Sequence, residues 1–244
     1  MSKKYKGKLC AYCAAARSTT EDHVFAREFF LPDAHDNLPK APACKGCNDG
    51  KARLEHYLIS VLPFGARHEQ AVENLLASVP KRLAKNRKLQ RELSSTREPT
   101  WLREGSGLYQ RTSMLSFDGA KLEELLKYIA RGLAWHHWGT FLGPNHFASV
   151  MFMPDLLSIH FQEQMHTWSV AQRVVVDLGR GTVQYEGVQL ADPLESTVWV
   201  ISMYGGVMLP IGEISTGADM QTSSRWWVII GPPQLGEMID GKMG

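Results

Sequence analysis

Two pairs of cysteines with the spacing CxxC constrain this chain more than any other feature. Cys10 pairs with Cys13 and Cys44 with Cys47, and together they are all the cysteines among 244 residues. Four thiolates in two such pairs can surround one tetrahedral ion, and Zn²⁺ is the usual occupant. The alternatives are two disulfides or thiols without a ligand, and disulfides are disfavoured in a chain without a secretion signal. The pattern predicts a structural zinc with no open position for substrate.

Charge divides the chain into two parts. Residues 1–100 carry 18 Lys and Arg against 11 Asp and Glu, a net charge of +7, whereas residues 101–244 carry 9 against 14, a net charge of −5. A basic first part suits a polyanionic partner. We predict a metal-binding finger over residues 1–64, a basic helical connector over 65–100, and an α+β domain over 101–244 for recognition, oligomerisation or partner binding.

Further residues with the chemistry of a catalytic site accompany the cysteines. Asp22-His23 and Asn37-Leu38 lie between the two CxxC pairs, and the second pair continues directly into Asn48. This order resembles the HNH (His-Me finger) nuclease family in its zinc-knuckle form. That family has CxxC, an acidic residue before His, an Asn before an apolar residue, and a second CxxC followed by Asn or His. The resemblance covers about residues 8–62, and it departs at Ala26, where many relatives have proline.

The resemblance implies a ββα-metal finger that hydrolyses DNA to a 5′-phosphate and a 3′-hydroxyl. In it, His23 is the general base, Asp22 and Asn48 hold a catalytic Mg²⁺ or Mn²⁺, and Asn37 orients the His23 ring through a hydrogen bond. The chemistry suits these residue types, because a histidine with a pKa of ~6.5 accepts a proton at neutral pH. Hard oxygen ligands suit a divalent cation, which polarises the phosphate and stabilises the leaving oxygen.

The segment after Asn48 has the pattern of a helix that covers the finger. Its apolar side chains fall at helical spacing, at Leu54, Leu58, Val61 and Leu62. Lys51 lies one turn from Asn48, and we expect it to meet a phosphate. Glu55 shares that face, either as a third cation ligand or as a solvated or structural carboxylate. His56 is expected to be a surface or packing histidine.

A second helix is predicted over residues 67–78, ending before Pro80, and a strongly basic segment follows it. Residues 81–91 contain six basic residues and no acidic one: Lys81, Arg82, Lys85, Arg87, Lys88 and Arg91. A solvated helix face is one interpretation. Beside a nuclease-like site, contact with the DNA backbone is the favoured one, and such contacts position a duplex without reading its sequence.

The last part of the chain predicts one helix packed on an antiparallel sheet, an α+β arrangement. Asp118 is placed to cap a helix whose apolar residues are Leu122, Leu125, Leu126, Ile129 and Leu133. Strand patterns follow over 174–185, with a turn at 179–181, and again over 197–203 and 225–230. The adjacent histidines at 136 and 137 point in different directions on a helix, which disfavours a metal site there.

Segments that target a protein to membranes are not expected. No apolar segment follows the basic N-terminal residues, and the longest stretch free of Asp, Glu, Lys and Arg, residues 132–154, is interrupted by polar residues and proline. We therefore expect a cytoplasmic protein. Two alternatives to a DNA nuclease stay open: a non-catalytic zinc-knuckle module that binds nucleic acid, and an RNA-directed nuclease. A role in phage defence, restriction or mobile elements is suggested by analogy alone.

Overall fold

The computed structural model of the protein describes residues 4–65, 68–103, 108–115, 118–206 and 224–240. Strands and helices alternate irregularly along these residues, and every described strand pairing is antiparallel. The helices are α1 Lys45–Val61, α2 Glu69–Ala77, α3 Val79–Lys85, α4 Arg87–Ser95, α5 Gly119–Trp138, α6 Asp155–His166 and α7 Pro233–Asp240. The strands are β1 Thr20–His23, β2 Lys40–Ala43, β3 Arg97–Arg103, β4 Tyr109–Leu115, β5 Phe147–Pro154, β6 Val170–Leu178, β7 Val183–Leu190, β8 Thr197–Met203 and β9 Ser224–Gly231.

The N-terminal region is a short hairpin followed by a helix. Strand β1 pairs with β2 so that His23 stands opposite Lys40. Helix α1 begins directly afterwards, and the sulfur of its N-cap residue Cys44 accepts a hydrogen bond from the amide of Cys47. The predicted apolar stripe is confirmed, since Leu58, Val61 and Leu62 are buried and Leu54 packs against the core.

Three short helices connect this region to the rest of the chain. The helix predicted over 67–78 is α2, and Pro80 lies in the first turn of α3, where a proline needs no amide hydrogen bond. The basic segment 81–91 is not one helix, because Asn86 ends α3 and its side chain caps α4. The basic residues are therefore divided between two helices.

The C-terminal part contains α5 and a five-stranded sheet of strand order β5-β9-β8-β7-β6. Asp118 caps α5, and Gly139, in the left-handed conformation at φ 69°, ends it. The predicted helix and three strand regions are therefore confirmed, whereas the β3–β4 hairpin, β5 and α6 were not foreseen. Among the described residues, no helix is long and apolar enough to cross a membrane.

The N-terminal and C-terminal regions share one hydrophobic core. A single cluster of buried side chains includes Phe25 and Phe29 from the first region and Trp199 and Ile201 from the sheet. At Gly132 of α5, a Cβ atom would lie 2.9 Å from the nearest methyl carbon of Val24, so the two regions meet closely. The boundaries proposed at residues 64 and 100 stay a prediction, but the regions that they separate pack as one body of side chains.

Candidate metal centre and catalytic cleft

The four cysteine sulfurs converge on one point. All four thiols are free, and the sulfurs lie within 4.8 Å of one another. The sulfurs of Cys13 and Cys44 are 4.0 Å apart, close to the separation of roughly 3.8 Å expected between thiolates around a tetrahedral Zn²⁺ with Zn–S bonds near 2.3 Å. The cluster can therefore hold a zinc ion through four protein ligands.

Backbone geometry on both sides of the cluster brings the sulfurs together. The amide of Cys10 donates to Ala16 and the amide of Ala14 donates back to Cys10, which closes the first CxxC into a tight turn. The second CxxC is built by the start of α1. Burial and the neighbouring thiols raise the pKa of Cys47 well above its ordinary value. A cation bound among the four sulfurs would favour their thiolate forms.

Helix α5 packs against the first cysteine turn. The ring of Tyr128 meets the ring of Tyr12 edge to face at 5.3 Å, and Gly132 lies against Tyr12. Between them on the helix, Arg131 is buried, and its Nε atom has no hydrogen-bond partner among the described residues. Burial lowers the pKa of Arg131, and the nearby charge of Cys47 is among the effects that oppose this shift. A buried guanidinium at this place suits the excess negative charge of a tetrathiolate centre.

Lys51 lies at the centre of a buried cluster of oxygen atoms. Its Nζ donates to the backbone oxygen of His23 at 2.7 Å and to Oε1 of Glu55 at 2.5 Å, and it lies 3.0 Å from Oδ2 of Asp22. The hydroxyl of Tyr12 donates to the same oxygen of Asp22. The expected phosphate contact of Lys51 is wrong, because the ammonium is fully buried and its three protons face these three oxygens.

The carboxyl of Glu55 is structural rather than solvated. Its side chain is buried, and burial raises its pKa to about 7 although the Lys51 ammonium acts in the opposite direction. Because this carboxylate is bound to Lys51, it is not arranged as a cation ligand. His56, one residue further, is exposed, as predicted for a surface histidine.

His23 opens into a cleft on the other side of β1. The cleft has a volume of about 420 Å³, and its walls include the cations Arg27 and Lys40 as well as Asn37. Burial and the charges of Arg27 and Lys40 lower the pKa of His23, which favours the neutral form of the imidazole. Lys40 also forms an ion pair with Glu21 at 3.0 Å.

The partner of the His23 ring differs from the predicted one. Its Nε2 accepts a hydrogen bond from Nε of Arg27 at 3.3 Å, and none of the hydrogen bonds in the described part of the chain joins it to Asn37. Asn37 lines the same cleft in the left-handed conformation, at φ 55°. The sequence carried a signal for Arg27, since it follows Ala26, where the motif departs from the family pattern. Nothing in the sequence distinguished Tyr12.

The two residues predicted to bind a catalytic cation lie on facing elements. Asp22 is on β1, and Asn48 is in the first turn of α1, one turn before Lys51. Because Lys51 contacts Asp22, this face of the helix is directed toward β1. Oδ2 of Asp22 is already bound by Tyr12 and Lys51, so this oxygen is not open to a cation. The cation-binding roles of Asp22 and Asn48 stay a prediction. Both residues are half-buried.

The basic residues of α3 and α4 are not equivalent. Arg82 is half-buried, and its Nη2 donates to the backbone oxygen of Glu28 at 3.1 Å, so it fastens α3 to the turn beside Arg27. This contact gives Arg82 a packing role, and its predicted part in nucleic-acid binding stays a prediction. The remaining five residues are exposed, namely Lys81, Lys85, Arg87, Lys88 and Arg91. The contact of Arg82 with Glu28 joins α3 to the turn that carries Arg27, one of the residues that line the cleft.

Comparison with protein-family models, with curated proteins and with solved structures finds no match to this chain.

Proposed function

We propose that the protein is a metal-dependent HNH endonuclease that hydrolyses DNA phosphodiester bonds. The observation that carries this proposal is the position of His23 at the end of β1, directly beside Asp22, in a cleft whose lining includes two cations and one acidic residue. The pKa of His23 is lowered, which favours its neutral form. A neutral imidazole accepts a proton from water at pH 7, and the cations attract a phosphate. Cys10, Cys13, Cys44 and Cys47 hold a structural zinc that carries no part of the chemistry.

Substrate binding releases Nε2 of His23 from its hydrogen bond, so that this atom can accept a proton. In the free protein the guanidinium of Arg27 donates to Nε2 of His23. A phosphate oxygen is a stronger acceptor for a guanidinium than a neutral imidazole is. A phosphodiester in the cleft therefore draws Arg27 away, and the ring nitrogen becomes able to accept a proton from the attacking water. Lys40, on the opposite strand, adds a second positive charge at the phosphate.

Asp22 and Asn48 hold the catalytic cation in this proposal. Oδ1 of Asp22 and the amide oxygen of Asn48 are hard donors of the kind that Mg²⁺ and Mn²⁺ prefer. When bound, the cation stabilises the charge on the phosphate and on the leaving 3′ oxygen. Tyr12 and Lys51 keep the Asp22 carboxylate in one orientation through its other oxygen.

Plasmid cleavage tests the proposed chemistry. With supercoiled plasmid and Mg²⁺ or Mn²⁺, His23→Ala is expected to lose about 10²–10⁴-fold in rate, since a positioned base is removed. Zinc content and DNA affinity remain unchanged. The control is His56→Ala, which removes an exposed histidine of α1 outside the cleft and leaves the rate as it is. A His23→Ala protein that cuts at the wild-type rate would refute the mechanism.

The roles of base and ligand are separated by varying the metal. Asn48→Ala and Asp22→Asn weaken the binding of the divalent cation, so a high Mn²⁺ concentration restores part of their cleavage. It does not restore His23→Ala, because that variant lacks the proton acceptor. Equal rescue of all three variants by Mn²⁺ contradicts this assignment.

A second candidate is a zinc-knuckle module that binds nucleic acid without cutting it. The occupation of one Asp22 oxygen by Tyr12 and Lys51 favours it, because such a carboxylate can be purely structural. Electron paramagnetic resonance of added Mn²⁺ distinguishes the two. The nuclease binds one Mn²⁺ in addition to zinc and loses it in Asp22→Asn, whereas the module binds none. RNA is assayed beside DNA, because a cleft that contacts phosphates alone does not separate them.

A further inference from the structure

The β3–β4 hairpin stands apart from the rest of the fold. Strands Arg97–Arg103 and Tyr109–Leu115 pair along their full length, and among the described elements their main contacts are with each other. None of the described side chains of this hairpin belongs to the buried core. A two-stranded ribbon buries too little surface to be stable by itself, so its exposed face has to be explained by what it contacts.

One face of this ribbon combines aromatic and cationic side chains. Trp101 stands directly opposite Arg111, and by the two-residue period of a strand Arg97 and Tyr109 share their face. Trp101 is 65% exposed and Tyr109 is 56% exposed. The one acidic residue of the two strands, Glu98, falls on the opposite face. The aromatic face therefore carries no negative charge from the residues of either strand.

A helix with several basic residues directly precedes the ribbon. Strand β3 follows α4 after a single residue, and Leu89 and Leu93 anchor α4 on the end of α1. The opposite side of α4 presents Arg87, Lys88 and Arg91 to solvent. Positive charge is therefore in excess on the exposed part of α4, which leads into the ribbon and carries Glu92 as its one acidic residue.

We propose that the ribbon face formed by Arg97, Trp101, Tyr109 and Arg111 binds unpaired DNA bases. This inference rests on the proposed function, since it names the substrate class of that site: DNA with a single-stranded segment. Exposed aromatic rings between arginines are the arrangement that stacks successive bases while the cations contact the phosphates. A protein partner would have no need of the surrounding positive charge, which is complementary to a phosphate backbone.

Fluorescence anisotropy measures this binding without any cleavage. Labelled oligothymidylate of about 16 nucleotides and a duplex of the same length are titrated with protein in the absence of added divalent cation. Trp101→Ala is expected to weaken binding of the single strand by about 5- to 150-fold, the loss typical of one stacking interaction, and to leave duplex affinity unchanged. Trp101→Phe keeps a ring and retains most of the affinity.

Trp168→Ala is the matched control, because Trp168 is an exposed tryptophan outside the ribbon. Arg111→Gln removes one phosphate contact and so flattens the salt dependence of single-strand binding by a slope of about 0.7. Unchanged single-strand affinity in Trp101→Ala overturns the proposal. An equal loss of duplex affinity also overturns it, because the ribbon would then contact only the DNA backbone. A changed oligomeric state with unchanged affinity overturns it as well, because the ribbon would then be an interface between copies of the chain. Failure of plasmid cleavage leaves this binding result intact, so the two proposals fail separately.

Discussion

The cysteine region and the face of the five-stranded sheet that belongs to the main hydrophobic core bury different kinds of side chain. Beside the cysteines, the interior holds the charged residues Lys51 and Glu55 and the hydroxyl of Tyr12. In the sheet, the interior holds large apolar groups such as Trp199 and Val228. Apolar burial is indifferent to pH and metal, whereas buried charges are tolerated only while each has its partner. Sensitivity to metal is therefore expected in the cysteine region, whereas the described strands of the sheet bury one carboxylate, that of Glu186, which pairs with Arg173.

Loss of zinc is expected to produce the largest difference in stability between the cysteine region and the sheet. Cys44→Ser takes away one ligand and the sulfur that caps α1, and the three remaining thiolates lose most of their affinity for metal. The expected loss is roughly 5 kcal/mol or more from the N-terminal region. Elemental analysis and hydrogen exchange check this: zinc is lost and amides of β1, β2 and α1 exchange faster. Amides of β7 and β8 stay protected longer. Equally fast exchange in both regions would show that the cysteine region does not depend on metal more than the sheet does.

Lys51→Met is the next largest disturbance. It leaves the Asp22 and Glu55 carboxylates in the interior without their shared cation, which typically costs about 3–5 kcal/mol. Urea unfolding of the variant measures the loss. The control is Lys45→Met, on the same helix, because the Lys45 side chain is largely exposed and its ion pair with Asp49 lies at the surface. Equal stability of the two variants would mean that the buried cluster contributes nothing.

The pH dependence of Glu55 is the smallest of these effects. Its folded-state pKa of about 7 lies above its ordinary value of 4.5, so between these pH values the folded protein keeps a proton that the unfolded chain releases. This group therefore makes the protein less stable as pH rises from about 4.5 to 7, by at most about 3 kcal/mol. Urea midpoints of Glu55→Gln and wild type across this range isolate the effect. A difference between them that stays constant with pH would show that Glu55 has an ordinary pKa.

Much of the secondary structure could be predicted because its signals are local. The stripe through Leu58 and Leu62 and the runs that became β6 to β9 are readable in a few residues of periodic sequence. Strand β5 escaped prediction because Phe147–Pro154 has no regular alternation of apolar and polar residues. The ribbon also escaped prediction. One face of its two strands carries aromatic and basic side chains, whereas a strand packed on a core usually has an apolar face.

The sequence by itself determined the candidate ligands of the metal centre and brought His23 and Asp22 next to each other. Spacing decides such features, because a CxxC turn or two adjacent residues need no distant partner. Only the tertiary structure decided that Lys51 is buried and that Arg27, not Asn37, bonds the His23 ring. The reason is physical: whether a cation on a helix meets water or oxygen atoms depends on what packs over it. For Lys51 two of the covering oxygens come from His23 and Asp22 of β1, which lies far from it along the chain and reaches it only once the N-terminal region has folded.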